Sequence, residues 1–222
     1  MKLQKLCVAS AFFATGLAFA ATAATPHIDA VQTKQAARIE QGVASGELTQ
    51  KEAAHLDKQQ NRIAEHEGIL CISLGSPRFP NGGNNQAQSW LALFESKGVD
   101  AAKEVKGRFA VAFIDTNQNS ATLLTDRFDT QPWCYAEEKG ELSFSDRADS
   151  VPLDSRTINP QAIFYYLYFH MIPSPVTIFR EVKRLAPASM LEWKKGQSRI
   201  SKHWLPVFNE NPRLNLNETK GR

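Results

Sequence analysis

Cysteine is scarce in this chain, and the scarcity limits its chemistry. There are three in 222 residues. Cys7 falls in a leader-like start, which leaves Cys71 and Cys134 in the body. No CxxC pair and no Cys/His cluster with zinc spacing occurs, and the five histidines lie far apart, so no metal site is expected. Two buried thiols acting as small hydrophobes is the reading that follows. One disulfide between them stays open if the chain is exported. Charge of one sign is lacking too. The net charge is +3 and no run of Lys or Arg forms a stripe, which argues against nucleic acid as a partner. Glycine never gathers into a phosphate-cradling loop, so no nucleotide cofactor is expected in the chain itself. Residues 25–67 contain no aromatic residue. Their GVASGELT turn lacks the alternating carboxylates of an EF-hand loop, which argues against calcium.

What is present falls into two blocks behind an address. Lys2 and Lys5 precede an uncharged apolar stretch, Leu6 to Phe19. Small residues then follow, with Ala18-Phe19-Ala20 and Ala21-Thr22-Ala23 each offering an A-x-A cleavage signal. This is the three-part build of a signal peptide over residues 1–24, and it predicts a secreted or periplasmic chain. If uncleaved, the run to Ala24 is nearly long enough to hold the chain in a membrane. Residues 25–67 predict a helical hairpin. Ala30/Val31, Ala37 and Val43 recur at helical spacing. Thr49-Gln50-Lys51-Glu52 is a capping box, and a second helix is expected from about Gln50 to His66. This block resembles small exported bacterial proteins that carry the same kind of turn.

From Gly68 the texture changes. Ile69–Leu74 predicts a buried strand, closed by the Gly75-Ser76-Pro77 and Pro80-Asn81-Gly82-Gly83 turns. A helix is expected over Gln86–Lys97, with Trp90, Leu91 and Phe94 on one face and Gly98 as its end. Arg108–Asp115 is apolar on both faces, as a covered central strand would be. Further strands are expected at Ala121–Thr125, Trp133–Ala136, Leu142–Ser145, Ser189–Trp193 and Ser198–Lys202. Asn159-Pro160 opens a helix that runs to about His170, a helix-end cap. The aromatic run Phe164–Phe169 is read as core, and Asp126-Arg127 as a strand-end ion pair. Strands outnumber helices and pair mostly as hairpins, which gives a layered α+β class.

Several of these segments carry a family resemblance. Lys106-Gly107-Arg108-Phe109-Ala110-Val111-Ala112-Phe113-Ile114-Asp115 resembles the L-x-G-x-F-A-x-A-x-x-D strand of asparagine synthetases. Leu123–Phe128 is similar to their L-A-R-D-R-x-G segment, and Gln131–Tyr135 to the P-L-Y-Y after it. Leu142–Asp146 sits where the family has F-A-S-E. Pro175–Pro187 resembles the stretch leading to its L-P-P-G-H, and His203-Trp204 its closing Y-W. The resemblance implies a class II glutamine amidotransferase domain over residues 68–208, with the four-layer α-β-β-α Ntn-hydrolase-like fold. Leu74-Gly75-Ser76-Pro77-Arg78 is similar to the start of a shortened subgroup associated with exosortase and exopolysaccharide genes. Three positions depart from the pattern: Asp129 replaces the Gly of D-R-x-G, Asp146 the Glu after F-A-S, and Ala188-Ser189 the Gly-His.

The family releases ammonia from glutamine with an N-terminal cysteine, whose free α-amine activates its own thiol. Cys71 is the candidate catalytic residue, and it needs exposure by cleavage after Leu70. Only 36 residues separate it from Gly107, and neither H-R-G-P-D nor N-G-E-I-Y-N occurs between them. The Asn81–Asn85 loop is read as a turn rather than a remnant of the oxyanion donors. The S-G-G-x-D-S loop of the family's ATP-dependent ligase half is absent as well. Residues 209–222 are expected to be the start of a linker towards that half, to which ATP and Mg would belong. The sequence therefore predicts an amidotransferase domain that is not catalytic alone, partnered by a separately encoded synthetase domain, with glutamine as ligand if active. An exported helical binding module fused to this domain and a glutaminase matured by cleavage before Cys71 are the alternatives. A secretory leader conflicts with a cytoplasmic enzyme half, and a joining of unrelated reading frames near Gly68 would explain it.

Overall fold

Glu67 and Gly68 both take positive φ, 50° and 82°, the two-residue turn that matches the twist of paired strands. It joins β2 (Ile63–His66) to β3 (Ile69–Arg78), with Ile63 opposite Ile72 and His66 opposite Ile69. This corrects the end of the helix expected from Gln50 to His66: its last four residues are a strand, and Gly68 lies inside a hairpin. The computed structural model describes residues 18–19, 28–46, 48–53, 56, 62–83 and 85–208. The remainder of the expected leader, the middle of the second helix and the expected linker over 209–222 lie outside the described residues. Helix α1 spans Ile28–Ser45, and residues 50–53 are helical. The capping box forms: Thr49 N–H donates to Glu52 Oε2 at 2.9 Å, and Glu52 N–H to Thr49 Oγ1 at 3.3 Å.

β3 runs four residues past Leu74, because Gly75–Arg78 stay paired with the start of β4 (Lys106–Asp115) instead of turning. Helix α2 (Gln86–Lys97) and the short α3 (Ala101–Glu104) connect these two strands. Asn85 caps α2 by accepting Gln88 N–H, and Gly98 ends it at φ 57°. β5 (Ser120–Thr125), β9 (Ser189–Lys194) and β10 (Gln197–Lys202) complete an antiparallel sheet in the order β10-β9-β5-β4-β3-β2. A second sheet has the order β1-β7-β6-β8, from Ala18–Phe19, Glu141–Ser145, Cys134–Glu138 and Lys183–Arg184.

Strand alternation divides the core in two. One face of β3 and β4 sends Ile72, Leu74, Ala110, Ala112 and Ile114 between the sheets, against Trp133, Tyr135, Phe144, Leu191 and Trp193. The other face sends Cys71, Phe109, Val111 and Phe113 under α2, against Trp90 and Leu91. Burying each such large side chain contributes roughly 1.5–3 kcal/mol. The outer face of the second sheet carries Cys134 and Ala136 beneath Val151 and Val182, which come from irregular chain. The class is as the pattern indicated: mixed α and β, with two antiparallel sheets face to face.

Helix α4 (Pro160–Phe169) begins and ends as read, with Asn159 accepting Gln161 N–H and His170, at φ 57°, donating to Tyr166 O. Its burial is not as read. Ala162 alone is buried, while Phe164, Tyr166, Leu167, Tyr168 and Phe169 are exposed. Among the described residues no helix is long and apolar enough to cross a membrane.

Candidate functional site

The turn after β5 is organised by a buried carboxylate. Asp126 is 1% exposed, and it accepts N–H bonds from Phe109 at 3.1 Å, Phe128 at 2.8 Å and Thr130 at 3.2 Å, besides the Thr130 hydroxyl. The expected Asp126–Arg127 pair is corrected: Arg127 lies over the Trp204 ring, 5.3 Å from its centroid. The amides already fill the carboxylate's acceptor sites, so the guanidinium turns outward to the indole. The ion pair of this turn is Arg184 Nε to Asp129 Oδ2 at 2.6 Å. Burial pushes the Asp129 carboxyl up to about 6 although Arg184 pulls it down, and the nearby Asp126 adds to the rise. Asp129 has φ 52° and Ala188 φ 53°, the left-handed region where glycine is unstrained. Two of the departures from the family pattern therefore fall where the backbone itself asks for glycine. Asp tolerates that region better than most residues, and here its side chain is also held by Arg184.

Beside this turn, at the end of the two stacked sheets, lies a pocket of about 260 Å³. Leu74, Gly75 and Ser76 supply its wall from β3, Arg108 from β4, Gln131 from the turn, Asp146 from beyond β7, and Arg62 from the approach to β2. Gly75 makes the close approach possible. Its φ is 89°, and a Cβ there would lie 2.4 Å from the Arg108 carbonyl oxygen. Two guanidiniums can receive a carboxylate, Asp146 can receive an ammonium or amide group, and the Gln131 amide can donate or accept. This is the complement of a small zwitterion. No cysteine or histidine lines the pocket. Among the described residues no cluster of His, Cys, Asp or Glu is suited to a metal ion.

Cys71, the candidate nucleophile, is not part of this pocket. It sits in the middle of β3, paired with Ala64 on one side and Phe113 on the other. Alternation turns its side chain to the α2 side of the sheet, away from Ile72 and Leu74, which face the cleft between sheets. The pocket begins three residues further on, roughly 10 Å along the strand. The thiol is fully buried, and burial lifts its pKa well above the ordinary 9.0, so it is held as the thiol. Asn81–Gly83 and Asn85 form a loop and helix cap, with Gly82 N–H donating to Phe79 O; none of them lines the pocket. Leu74–Ser76, Arg108, Gln131 and Asp146 each lie in a segment that carries the family resemblance, but the sequence did not bring them together, because they and Arg62 come from five separate segments.

Residues 83–204 match the family model described as a glutamine amidotransferase domain. The matched stretch includes Arg108, Gln131 and Asp146 and begins after Cys71. "Asparagine synthetase [glutamine-hydrolyzing] 2" of Bacillus subtilis (strain 168) is 37% identical over 59 residues, which cover 27% of this chain and 8% of that protein. "Putative asparagine synthetase [glutamine-hydrolyzing] 2" of Methanocaldococcus jannaschii is 24% identical over 119 residues, 51% of this chain and 23% of that protein. The chain thus spans under a quarter of the length of either relative. Among solved structures, glutamine phosphoribosylpyrophosphate amidotransferase from B. subtilis overlaps 64% of this chain and 31% of its own, with TM-score 0.42 and 7% identity. A family match over more than half of the sequence, in the segments that build the sheets and the turn, shows that this chain belongs to the glutamine amidotransferase domain family and is related to the glutamine-hydrolysing half of asparagine synthetases.

Proposed function

We propose that this domain binds a small α-amino acid without hydrolysing it, as a non-catalytic amidotransferase domain of the asparagine-synthetase kind. The observation that carries the reading is the separation of Cys71 from the pocket: its thiol is buried on the helix-facing side of β3, and its backbone nitrogen is a peptide inside a paired strand. A thiol activated by its own α-amine requires that nitrogen to be free. Arg62 and Arg108 would hold the ligand's carboxylate and Asp146 its ammonium group. The four-layer Ntn-hydrolase arrangement goes with this reading, α2 lying over the outer face of the first sheet. So does membership of the shortened exosortase-associated subgroup, on the Leu74–Arg78 segment.

Ammonia release from glutamine by the purified chain is the test. No release above that of the Cys71→Ala variant is expected, with glutamine binding measured by calorimetry and weakened in Arg108→Ala. Turnover that disappears in Cys71→Ala would overturn the proposal in favour of a glutaminase exposed by cleavage after Leu70. Two cellular settings are separated by the mass of the mature N-terminus. A chain that keeps residues 1–24 in the cytoplasm can serve a separately encoded synthetase half, which would bring the ATP and Mg chemistry. A chain cut within Ala20–Ala24 acts outside the cytoplasm as a binding domain.

A further inference from the structure

Beyond the pocket, the cleft-side face of the first sheet continues uncovered. Ser76 stands opposite Arg108 and Arg78 opposite Lys106, and these residues are exposed. Opposite residues share a face, and two residues further in, Leu74 and Ala110 are buried between the sheets. Arg78 and Lys106 therefore extend the pocket wall by two residues, roughly 7 Å along the strands. Arg78 leans back towards the pocket across Gly107: its Nε lies 3.5 Å from the place a Cβ of Gly107 would take.

Charge shows what this extension fits. The pocket and its rim hold Arg62, Arg78, Lys106 and Arg108 against a single lining carboxylate, Asp146. Among the described residues none of these cations enters an ion pair, and Arg62 Nε is buried without a hydrogen-bond partner. The carboxylates that precede β4 do not answer them, since Asp100 is taken by Lys103 and Glu104 by Lys97. An amino acid with a neutral side chain would satisfy Arg62, Arg108 and Asp146 and leave Arg78 and Lys106 without a counter-ion. A second anionic group on the ligand supplies one. Reach agrees. The two carboxyl carbons of an extended glutamate lie about 5 Å apart, and the flexible stems of Arg and Lys close the difference.

We propose that the ligand of this site is an acidic α-amino acid, one whose side chain ends in a carboxylate or a phosphate held by Arg78 and Lys106. The inference rests on the amino-acid reading above and narrows it. Two exposed ion pairs together strengthen binding by on the order of tenfold, and the gain falls as salt is added.

Calorimetry of the purified full chain with L-glutamine, L-glutamate and O-phospho-L-serine decides the matter. At low salt at least one of the two acids is expected to bind about tenfold tighter than glutamine. That advantage is expected to shrink to about threefold or less in about 0.5 M sodium chloride. The tighter of the two acids identifies the side-chain group as carboxylate or phosphate. In the double variant Arg78→Gln, Lys106→Gln the advantage is expected to vanish while glutamine binding stays within about twofold of wild type. Should the double variant not fold, the salt series on wild type carries the test. Glutamine bound as tightly as both acids, or an acid preference that survives the double substitution or high salt, would overturn this proposal and leave the amino-acid reading standing. Binding of neither glutamine nor either acid would overturn both.

Discussion

Replacing Arg184 by Leu should destabilise the domain in a way that depends on pH, and the structure gives both sign and size. Asp129 is held at 4% side-chain exposure, with one carboxylate oxygen on Arg184 and the other, Oδ1, without a partner. Its folded pKa is raised from 3.8 to about 6 by burial. A raised carboxyl means that the folded state holds the proton more tightly than the unfolded state does. The group therefore carries no penalty below pH 3.8, a growing one from there to about 6, and its full penalty above. At about 1.36 kcal/mol for each tenfold in affinity, that penalty is on the order of 3 kcal/mol, even with Arg184 present. Removing Arg184 above the titration leaves a buried anion uncompensated, which costs about 3–5 kcal/mol. The guanidinium is 35% exposed and partly screened, so the lower end applies. Near pH 5 Asp129 is already mostly protonated, and only a hydrogen bond is lost, about 1 kcal/mol. Urea unfolding followed by tryptophan fluorescence is the assay, since Trp90, Trp133 and Trp193 are all buried. With a slope of about 2 kcal/mol per molar, the midpoint should fall by roughly 1.5 M at about pH 8 and by roughly 0.5 M at about pH 5. Equal losses at the two pH values would refute the account of Asp129. The double variant Asp129→Asn, Arg184→Leu should recover most of the loss at the higher pH.

Other residues give independent tests. Asp126→Ala removes the acceptor for three backbone amides at once, and unfolding is expected at least about 3 kcal/mol easier, as for other broken buried networks. Gly75→Ala meets the Arg108 carbonyl at 2.4 Å with φ at 89°, so the expected result is a loss of about 2 kcal/mol or more together with weakened glutamine binding by calorimetry. Normal binding by the Gly75→Ala protein would show that β3 and β4 need not approach so closely at the pocket. The Cys71 and Cys134 thiols, both buried and both raised, should react with a disulfide reagent only as fast as the chain unfolds. Prompt labelling of Cys71 in folded protein would contradict its placement under α2.

The strands were legible wherever apolar residues ran together between turn residues. Lys106–Asp115 and Ser189–Lys194 differ from the expected spans by two residues or fewer, because Asn117-Gln118-Asn119 and Lys195-Gly196 mark their ends in the chain itself. Ile63–His66 was not legible. Ile63 continues the helical spacing of Ala53 and Leu56, and what makes it a strand is the ladder to β3, a partner beyond the turn. Gly75–Arg78 failed for the same reason in reverse: Gly and Pro read as a turn, yet pairing with Lys106–Phe109 carries the strand through. The pocket was invisible for a stronger reason. Its residues span Arg62 to Asp146, and no spacing rule links side chains that only the stacking of two sheets brings together.

Cys71 shows how far a sequence argument and a structural one can meet from different sides. The sequence objects that the residue has a peptide nitrogen. The fold adds a geometric objection that cleavage alone does not remove, since cutting after Leu70 would free that nitrogen and leave the sulfur on the wrong face of the sheet. Bringing the thiol into the cleft beside Gly75 requires β3 to slip by an odd number of residues against β4. Such a slip would carry Ile72 and Leu74 out of the inter-sheet core and set Cys71 and Ser73 in their place. Those two side chains alone contribute roughly 3–6 kcal/mol of burial, a large part of what an ordinary domain has in total. Register is therefore what holds this thiol on the α2 side of the sheet, apart from the pocket beside Gly75.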